Sequence, residues 1–225
     1  MIDAVKQSNQ IRDAASLILV RDIDTDPRVL LGKRARSNRF MPDMYVFPGG
    51  ALQPEDFQAS VASGLNPQFS ARMGVRGSHE KATALAKTAI RETLEETGLL
   101  LGRPGDVGKL TDHGWCAIRQ TGLRPCLQSM TYLGRAVTPA FMPIRFNARF
   151  FVAAETGLYG EQVDSDELSD LQWIRPHQWQ SFPLVDITVY ILKHFDKILQ
   201  RSKRQQSFVF RYSNDRPVIS WQGKK

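Results

Sequence analysis

The chain has 225 residues and a mass of 25.4 kDa, a size that suits one domain or one domain with an appendage. Its apolar share of 42% supports a sizeable core, no apolar run is long enough for a transmembrane helix, and the polar start MIDAVKQSNQIRDAA is no secretory signal, which together predict a cytoplasmic protein. The net charge is +7, concentrated at Arg28, Lys33, Arg34, Arg36 and Arg39 and again at Lys197, Arg201, Lys203 and Arg204; aromatic residues do not interleave with these charges, so no nucleic-acid partner is expected.

Ala15–Val20 is a short apolar run bounded by charge and is expected to be a buried strand. After the Asp-rich turn DIDTDPR, Val29–Arg34 reads as a second strand, so that the two form a hairpin. Tyr45–Phe47 is a third strand, stopped by Pro48-Gly49-Gly50, where two glycines after a proline mark a tight loop with close backbone approach. From about 55 to 78 no period is visible, and an inserted, mostly exposed segment with one short helix is expected. Ser78 is a suitable N-cap for a helix reaching Thr97 and ended by Gly98, with Ala82, Leu85, Ala86, Ala89 and Thr93 on its apolar stripe.

Cys116 and Cys126 lack the companion Cys or His residues of a zinc site and are expected as free thiols. Thr131–Val137 and Ala148–Ala153 read as strands, 161–170 as an acidic loop, and Leu171–Ile174 as a short strand. Pro183–Leu199 fits one helix, and Phe208–Tyr212 with Val218–Trp221 a terminal hairpin. The four histidines are scattered without ligand spacing, and Trp115, Trp173 and Trp179 are assigned to packing.

One feature works against local stability. Glu92, Glu95 and Glu96 stand at i, i+3 and i+4 and so project from one side of the helix, where like charges repel by roughly 0.2–0.5 kcal/mol per pair. They also lie near its C-terminus, where the helix dipole disfavours negative charge. A divalent cation reverses the sign of both terms, and carboxylate oxygens suit Mg²⁺ or Mn²⁺.

The run Arg91-Glu92-Thr93-Leu94-Glu95-Glu96-Thr97-Gly98-Leu99, preceded by Pro48-Gly49-Gly50, resembles the Nudix hydrolase signature at every charged and glycine position of its second half. The departures are Thr93 in place of a large apolar residue, Asp56 where the family has Glu six residues after Gly50, and a spacer of 34 residues from Phe57 to Ile90. The long spacer, with Leu30–Arg34, Val137–Pro139 and Arg145–Phe151, is similar to the branch of peroxisomal coenzyme A diphosphatases and their bacterial relatives. The stretch Phe40–Tyr45 departs from the His and Gly spacing of the coenzyme A-specific motif.

The resemblance implies an α/β Nudix fold, a mixed sheet between helices, over 12–200 with an insertion at about 57–78; a basic segment and hairpin over 201–225 form an appendage. It implies a Mg²⁺- or Mn²⁺-dependent hydrolase of a diphosphate linked to another moiety, with coenzyme A or an acyl-coenzyme A as the leading substrate. NADH, ADP-ribose or another nucleotide is the alternative, as is a Nudix-fold module that binds a nucleotide without cleaving it. Glu92, Glu95 and Glu96 are the implied metal ligands, with a carbonyl of Gly50 or Gly49, and Arg91 orients them. The general base is Glu92 or the later Glu167. Arg34, Arg36, Arg145 and Arg149 are candidates for gripping phosphates, because a guanidinium suits bidentate phosphate contacts. The hairpin aromatics Phe208, Phe210, Tyr212 and Trp221 are a candidate homodimer surface.

Overall fold

In the computed structural model, the described residues are 10–38 and 41–223; the first nine residues, Arg39 of the first basic cluster and Phe40 lie outside them. In chain order the strands and α-helices are β1 (Arg12–Arg21), β2 (Arg28–Arg34), β3 (Tyr45–Val46), β4 (Gly49–Ala51), α1 (Glu55–Gln58), α2 (His79–Thr97), β5 (Leu100–Pro104), α3 (His113–Gln120), β6 (Leu123–Pro125), β7 (Thr131–Val137), β8 (Phe146–Ala154), β9 (Leu158–Tyr159), β10 (Leu168–Ile174), α4 (Asp186–Lys193), α5 (Phe195–Lys203), β11 (Gln206–Ser213) and β12 (Arg216–Gly223). Among them no helix is long and apolar enough to cross a membrane.

β1 is central because it is apolar on both faces: Leu17, Ile18, Leu19 and Val20 are all fully buried. It runs parallel to β8 on one side and antiparallel to β2 and β4 on the other. The main sheet continues in the order β10-β2-β1-β8-β7-β11-β12, and β7–β11 is a second parallel pair, so the sheet is mixed. α2 covers one face, packing Leu85, Ala89 and Ile90 over Ala15, Leu17 and Leu19. α4 and α5 cover the other, packing Ile191, Phe195 and Ile198 over Ile18, Val20 and Phe150. This is the expected α/β/α arrangement of a mixed sheet between helices.

The long helix forms as its sequence predicts. Ser78 Oγ accepts from the Lys81 amide at 3.1 Å, and Gly98, at φ 73°, ends it in the left-handed conformation that glycine adopts without a Cβ penalty. Two expectations need correction, and a third is qualified. The segment expected to be mostly exposed contributes Leu65, Phe69, Met73 and Val75 to the core beside α2. The single helix expected over 183–199 is two helices broken at His194, whose φ of −118° leaves the helical region; Phe195 and Ile198 after the break are both buried. The hairpin aromatics, expected as a dimer surface, lie largely on the chain's own core: Phe208 and Phe210 are buried, and the half-buried Tyr212 and Trp221 pack against the same cluster.

Between α2 and β7 the chain adds elements that apolar periodicity did not mark. β5, β6 and β9 form a small second sheet. α3 is capped by Asp112, whose Oδ1 accepts from the Gly114 and Trp115 amides, and it turns Trp115 and Ile118 into the core. Both cysteines are free thiols.

Candidate functional site

The last two turns of α2 run beneath β4, and glycine makes the approach possible. A Cβ on Gly50 would overlap the Glu92 carboxylate, one on Gly49 would overlap Ser16, and one on Gly114 of α3 would overlap Glu95 Oε1. The double glycine therefore brings backbone against the acidic face of the helix, and the Gly49 amide donates to Glu96 Oε2 at 2.7 Å.

Arg91 is the centre of the cluster and is fully buried. Its Nε and Nη2 donate to the two oxygens of Asp56 at 2.9 and 3.2 Å. Nη1 donates to Glu92 Oε1 at 2.8 Å and to Glu95 Oε2 at 3.0 Å, and Nη2 also reaches the Ala51 carbonyl at 3.1 Å. These contacts match the five donors a guanidinium carries. Asp56 is fully buried too, and it accepts three more hydrogen bonds: from Trp115 Nε1 at 2.9 Å, Thr88 Oγ1 at 2.7 Å and the Gln53 amide at 2.8 Å. The shorter acid at this position thus holds Arg91, which in turn holds Glu92 and Glu95.

Three carboxylates share one guanidinium here and a fourth, Glu96, lies beside them, an imbalance that shifts the acidities of the three glutamates. Burial pushes the Glu92 carboxyl up to about 7, against the opposing pull of Arg91 and with the help of Glu95's charge. Burial also raises Glu95. Glu96 is raised well above the usual carboxylate range: burial and the neighbouring Glu92 outweigh the Gly49 amide and the charge of Arg34. Among the described residues no three His, Cys, Asp or Glu side chains are gathered into a preformed ligand cage. Arg91 holds one oxygen each of Glu92 and Glu95, and the Gly49 amide holds one of Glu96. The donor set is still one of hard oxygens carrying excess negative charge, which fits a hard divalent cation.

The cluster opens into a cavity of about 790 Å³. Of the residues singled out from the sequence, Glu92, Glu95, Glu96, Gly49, Gly50, Arg34 and Glu167 line it. Three proposed phosphate grips are not among its walls. Arg36 is exposed and paired with Asp43. Arg145 donates to the Thr138 carbonyl. Arg149 is 1% exposed and is engaged by Asp13, by the Met73 carbonyl at 3.0 Å and by the Asn147 carbonyl at 2.6 Å. A strand residue whose side chain is sealed beneath the segment 57–78 cannot reach the cavity.

The sequence reading missed Arg12, which lies at the start of β1 and lines the cavity. It also missed Phe141 and Met142 between β7 and β8, and Phe210, Tyr212 and Asp215 of the terminal hairpin. Asp56 was findable by counting from Gly50, and only its length argued against it. The hairpin residues carry no local signal, since they reach the site through the pairing of β11 with β7.

No family model matches the chain. A Nudix hydrolase crystal structure from Alicyclobacillus acidocaldarius matches with 30% identity and a TM-score of 0.62, over 82% of this chain and 90% of that one. Nudix hydrolase 7 of Caenorhabditis elegans is 25% identical over 77% of this chain and 54% of its own length. The acyl-coenzyme A diphosphatase NUDT19 of Xenopus laevis is 36% identical over 36% of this chain and 27% of its own length. The chain thus spans about half or less of the length of these two curated relatives.

Proposed function

Because this chain belongs to the Nudix hydrolase family, we propose that it is a divalent-metal-dependent hydrolase of the diphosphate linkage in a nucleoside diphosphate–X substrate, with coenzyme A or an acyl-coenzyme A as that substrate. The observation that carries this reading is the excess of carboxylate at the double glycine: Asp56, Glu92 and Glu96 are at most 9% exposed, Asp56, Glu92 and Glu95 share the Arg91 guanidinium, and Glu96 has only the Gly49 amide as a hydrogen-bond donor. Burying uncompensated charge is costly, and a protein that keeps such a cluster needs a further cation to balance it.

Glu92, Glu95 and Glu96, with a carbonyl of Gly50 or Gly49, would hold Mg²⁺ or Mn²⁺. When bound, the ion would neutralise diphosphate oxygens, polarise phosphorus and acidify an attacking water. Arg91 and Asp56 act through geometry, keeping the acids aimed at β4 so that little reorganisation is left for the reaction. Arg34, on the cavity wall, would pair with phosphate oxygens. Glu92 and Glu167 both line the cavity, and one of them takes the proton from water. Similarity to the acyl-coenzyme A diphosphatase and the long spacer between Asp56 and Arg91 support the choice of substrate.

The test is a screen with Mg²⁺ and with Mn²⁺ over coenzyme A, acyl-coenzyme A, NADH, ADP-ribose and nucleoside triphosphates, with products resolved by mass. The expected products from coenzyme A are 3′,5′-ADP and phosphopantetheine. Cleavage of a different diphosphate would overturn the substrate and leave the metal reading standing. Glu96→Gln should lower kcat by about 10²–10³-fold or more while the fold survives, as loss of a group stabilising transition-state charge does. Wild-type turnover in that variant would overturn the metal assignment.

A further inference from the structure

The terminal hairpin joins the cavity through one row of strand pairing. Ala51 of β4 pairs with Ala14 of β1, Ala14 with Ala148 of β8, Ala148 with Ala136 of β7, and Ala136 with Phe210 of β11. Residues paired in register project to the same side of a sheet, and all five line the cavity. The row is therefore a floor of four alanines that begins beside the double glycine and ends against an aromatic ring. Four strand steps of about 4.8 Å make it about 19 Å long. Large side chains bound it on both sides: Phe150 pairs with Ser16 in the next row, and Phe146 pairs with Arg12 in the row beyond. Leu184 and Ile187, the exposed loop residue Phe141 and the half-buried Met142 complete the walls.

The far end is built, not merely apolar. Tyr212, two residues beyond Phe210 and on the same face, donates its hydroxyl to Asp186 Oδ2 at 2.5 Å and so ties the hairpin to the start of α4. The tie closes the trough between β11 and the helix. Phe141 is 64% exposed at its rim and adds a ring to the apolar lining there.

We propose that this trough holds an extended, largely apolar chain carried by X, and that the terminal hairpin is the specificity-determining end of the active site. The inference rests on the diphosphatase reading for what sits at the double glycine. A floor of methyl groups beside phenyl side chains offers apolar surface on which methylenes lose water, at about 0.8 kcal/mol for each one fully buried. In an acyl-coenzyme A the extended pantetheine arm lies between the diphosphate and the thioester, so it runs over the alanine floor and the acyl chain meets the Phe210, Tyr212 and Phe141 end.

The experiment is calorimetric titration of pantetheine and S-octanoyl-pantetheine, which lack the diphosphate and so need neither metal nor turnover, on the wild type, Phe141→Ala and Ala148→Leu. The wild type should bind the octanoyl ligand at least about tenfold more tightly, the effect of about two buried methylenes. Phe141→Ala opens the rim and should reduce that preference about threefold or more, an exposed ring being removable without loss of the fold. Ala148→Leu places a branched side chain on the half-buried mid-floor and should weaken both ligands together, and unchanged binding of both would overturn the trough as the path of the chain. Equal or equally absent binding of the two ligands to the wild type overturns the proposal, as does an unchanged preference in folded Phe141→Ala. Turnover assays on the same proteins separate the two readings. An acyl preference without cleavage of any diphosphate sinks the hydrolase reading alone. Cleavage without an acyl preference sinks the trough alone.

Discussion

Asp56→Asn is the sharpest test of how the acidic cluster is held. All five contacts to Asp56 are donors: Arg91 Nε and Trp115 Nε1 at Oδ1, and Arg91 Nη2, Thr88 Oγ1 and the Gln53 amide at Oδ2. An asparagine offers one acceptor oxygen and one NH₂, so either orientation of its amide turns a donor toward at least two other donors. Each buried donor left unsatisfied costs about 1–3 kcal/mol, and breaking a buried ion pair by removing one partner costs about 3–5 kcal/mol. Arg91 keeps Glu92 and Glu95, which sets the expectation toward the lower end, about 3–4 kcal/mol. For a chain of this length that is a fall in Tm on the order of 10 °C, measurable by calorimetry. The same variant should lose kcat about 10²-fold or more, because Glu92 and Glu95 are aimed by the guanidinium that Asp56 anchors. Asp56→Asn with a Tm within about 1 °C of wild type would refute the reasoning, since the buried pair would then contribute almost nothing beyond its shape.

The metal-free protein should lose stability as pH rises from about 4.5 to about 7, because Glu92 in the folded chain holds its proton longer than in the unfolded one. The shift corresponds to about 3 kcal/mol, and urea unfolding across that window, with Glu92→Gln flattening the slope, measures it; a stability that is level or rises in the wild type contradicts it. Saturating Mg²⁺ should remove that loss, since a bound cation favours the ionised carboxylates, and identical slopes with and without the ion would count against a metal here. Gly50→Ala should push the Glu92 carboxylate off β4 and lower activity about 10²-fold, and wild-type kcat with an intact fold would show that the close approach is not needed. Comparing Glu92→Gln with Glu167→Gln assigns the base: the variant whose pH–rate profile loses its acidic limb at saturating metal is the one that carries it.

Much of the fold was legible locally. The β1–β2 hairpin followed from two apolar runs around an Asp-rich turn, and β7 was bounded to the residue. α2 followed from its apolar stripe, Ser78 and Gly98. The acidic face was legible too, because three carboxylates at helical spacing are a contradiction that the helix alone does not resolve. What escaped was whatever depends on a distant partner. Phe69 and Met73 sit in a stretch with no period, and only contact with α2 makes them core. α3 is short, and its Trp115 is defined as much by Asp56 as by the helix.

By itself the sequence determined that a helix would carry Arg91, Glu92, Glu95 and Glu96 on one side, and that glycines would pass close to something. Spacing and chirality decide such matters within a few turns of chain. Only the tertiary structure decided which arginines face the cavity. Arg34 and Arg149 are alike as residues, but one ends a strand at the cavity wall and the other is sealed over Asp13. Only the tertiary structure, likewise, made the end of the chain part of the site. Sheet register is set between strands far apart in sequence, and the pairing of Phe210 with Ala136 turns a terminal hairpin into the far wall of a cavity whose other end is a helix formed more than a hundred residues earlier.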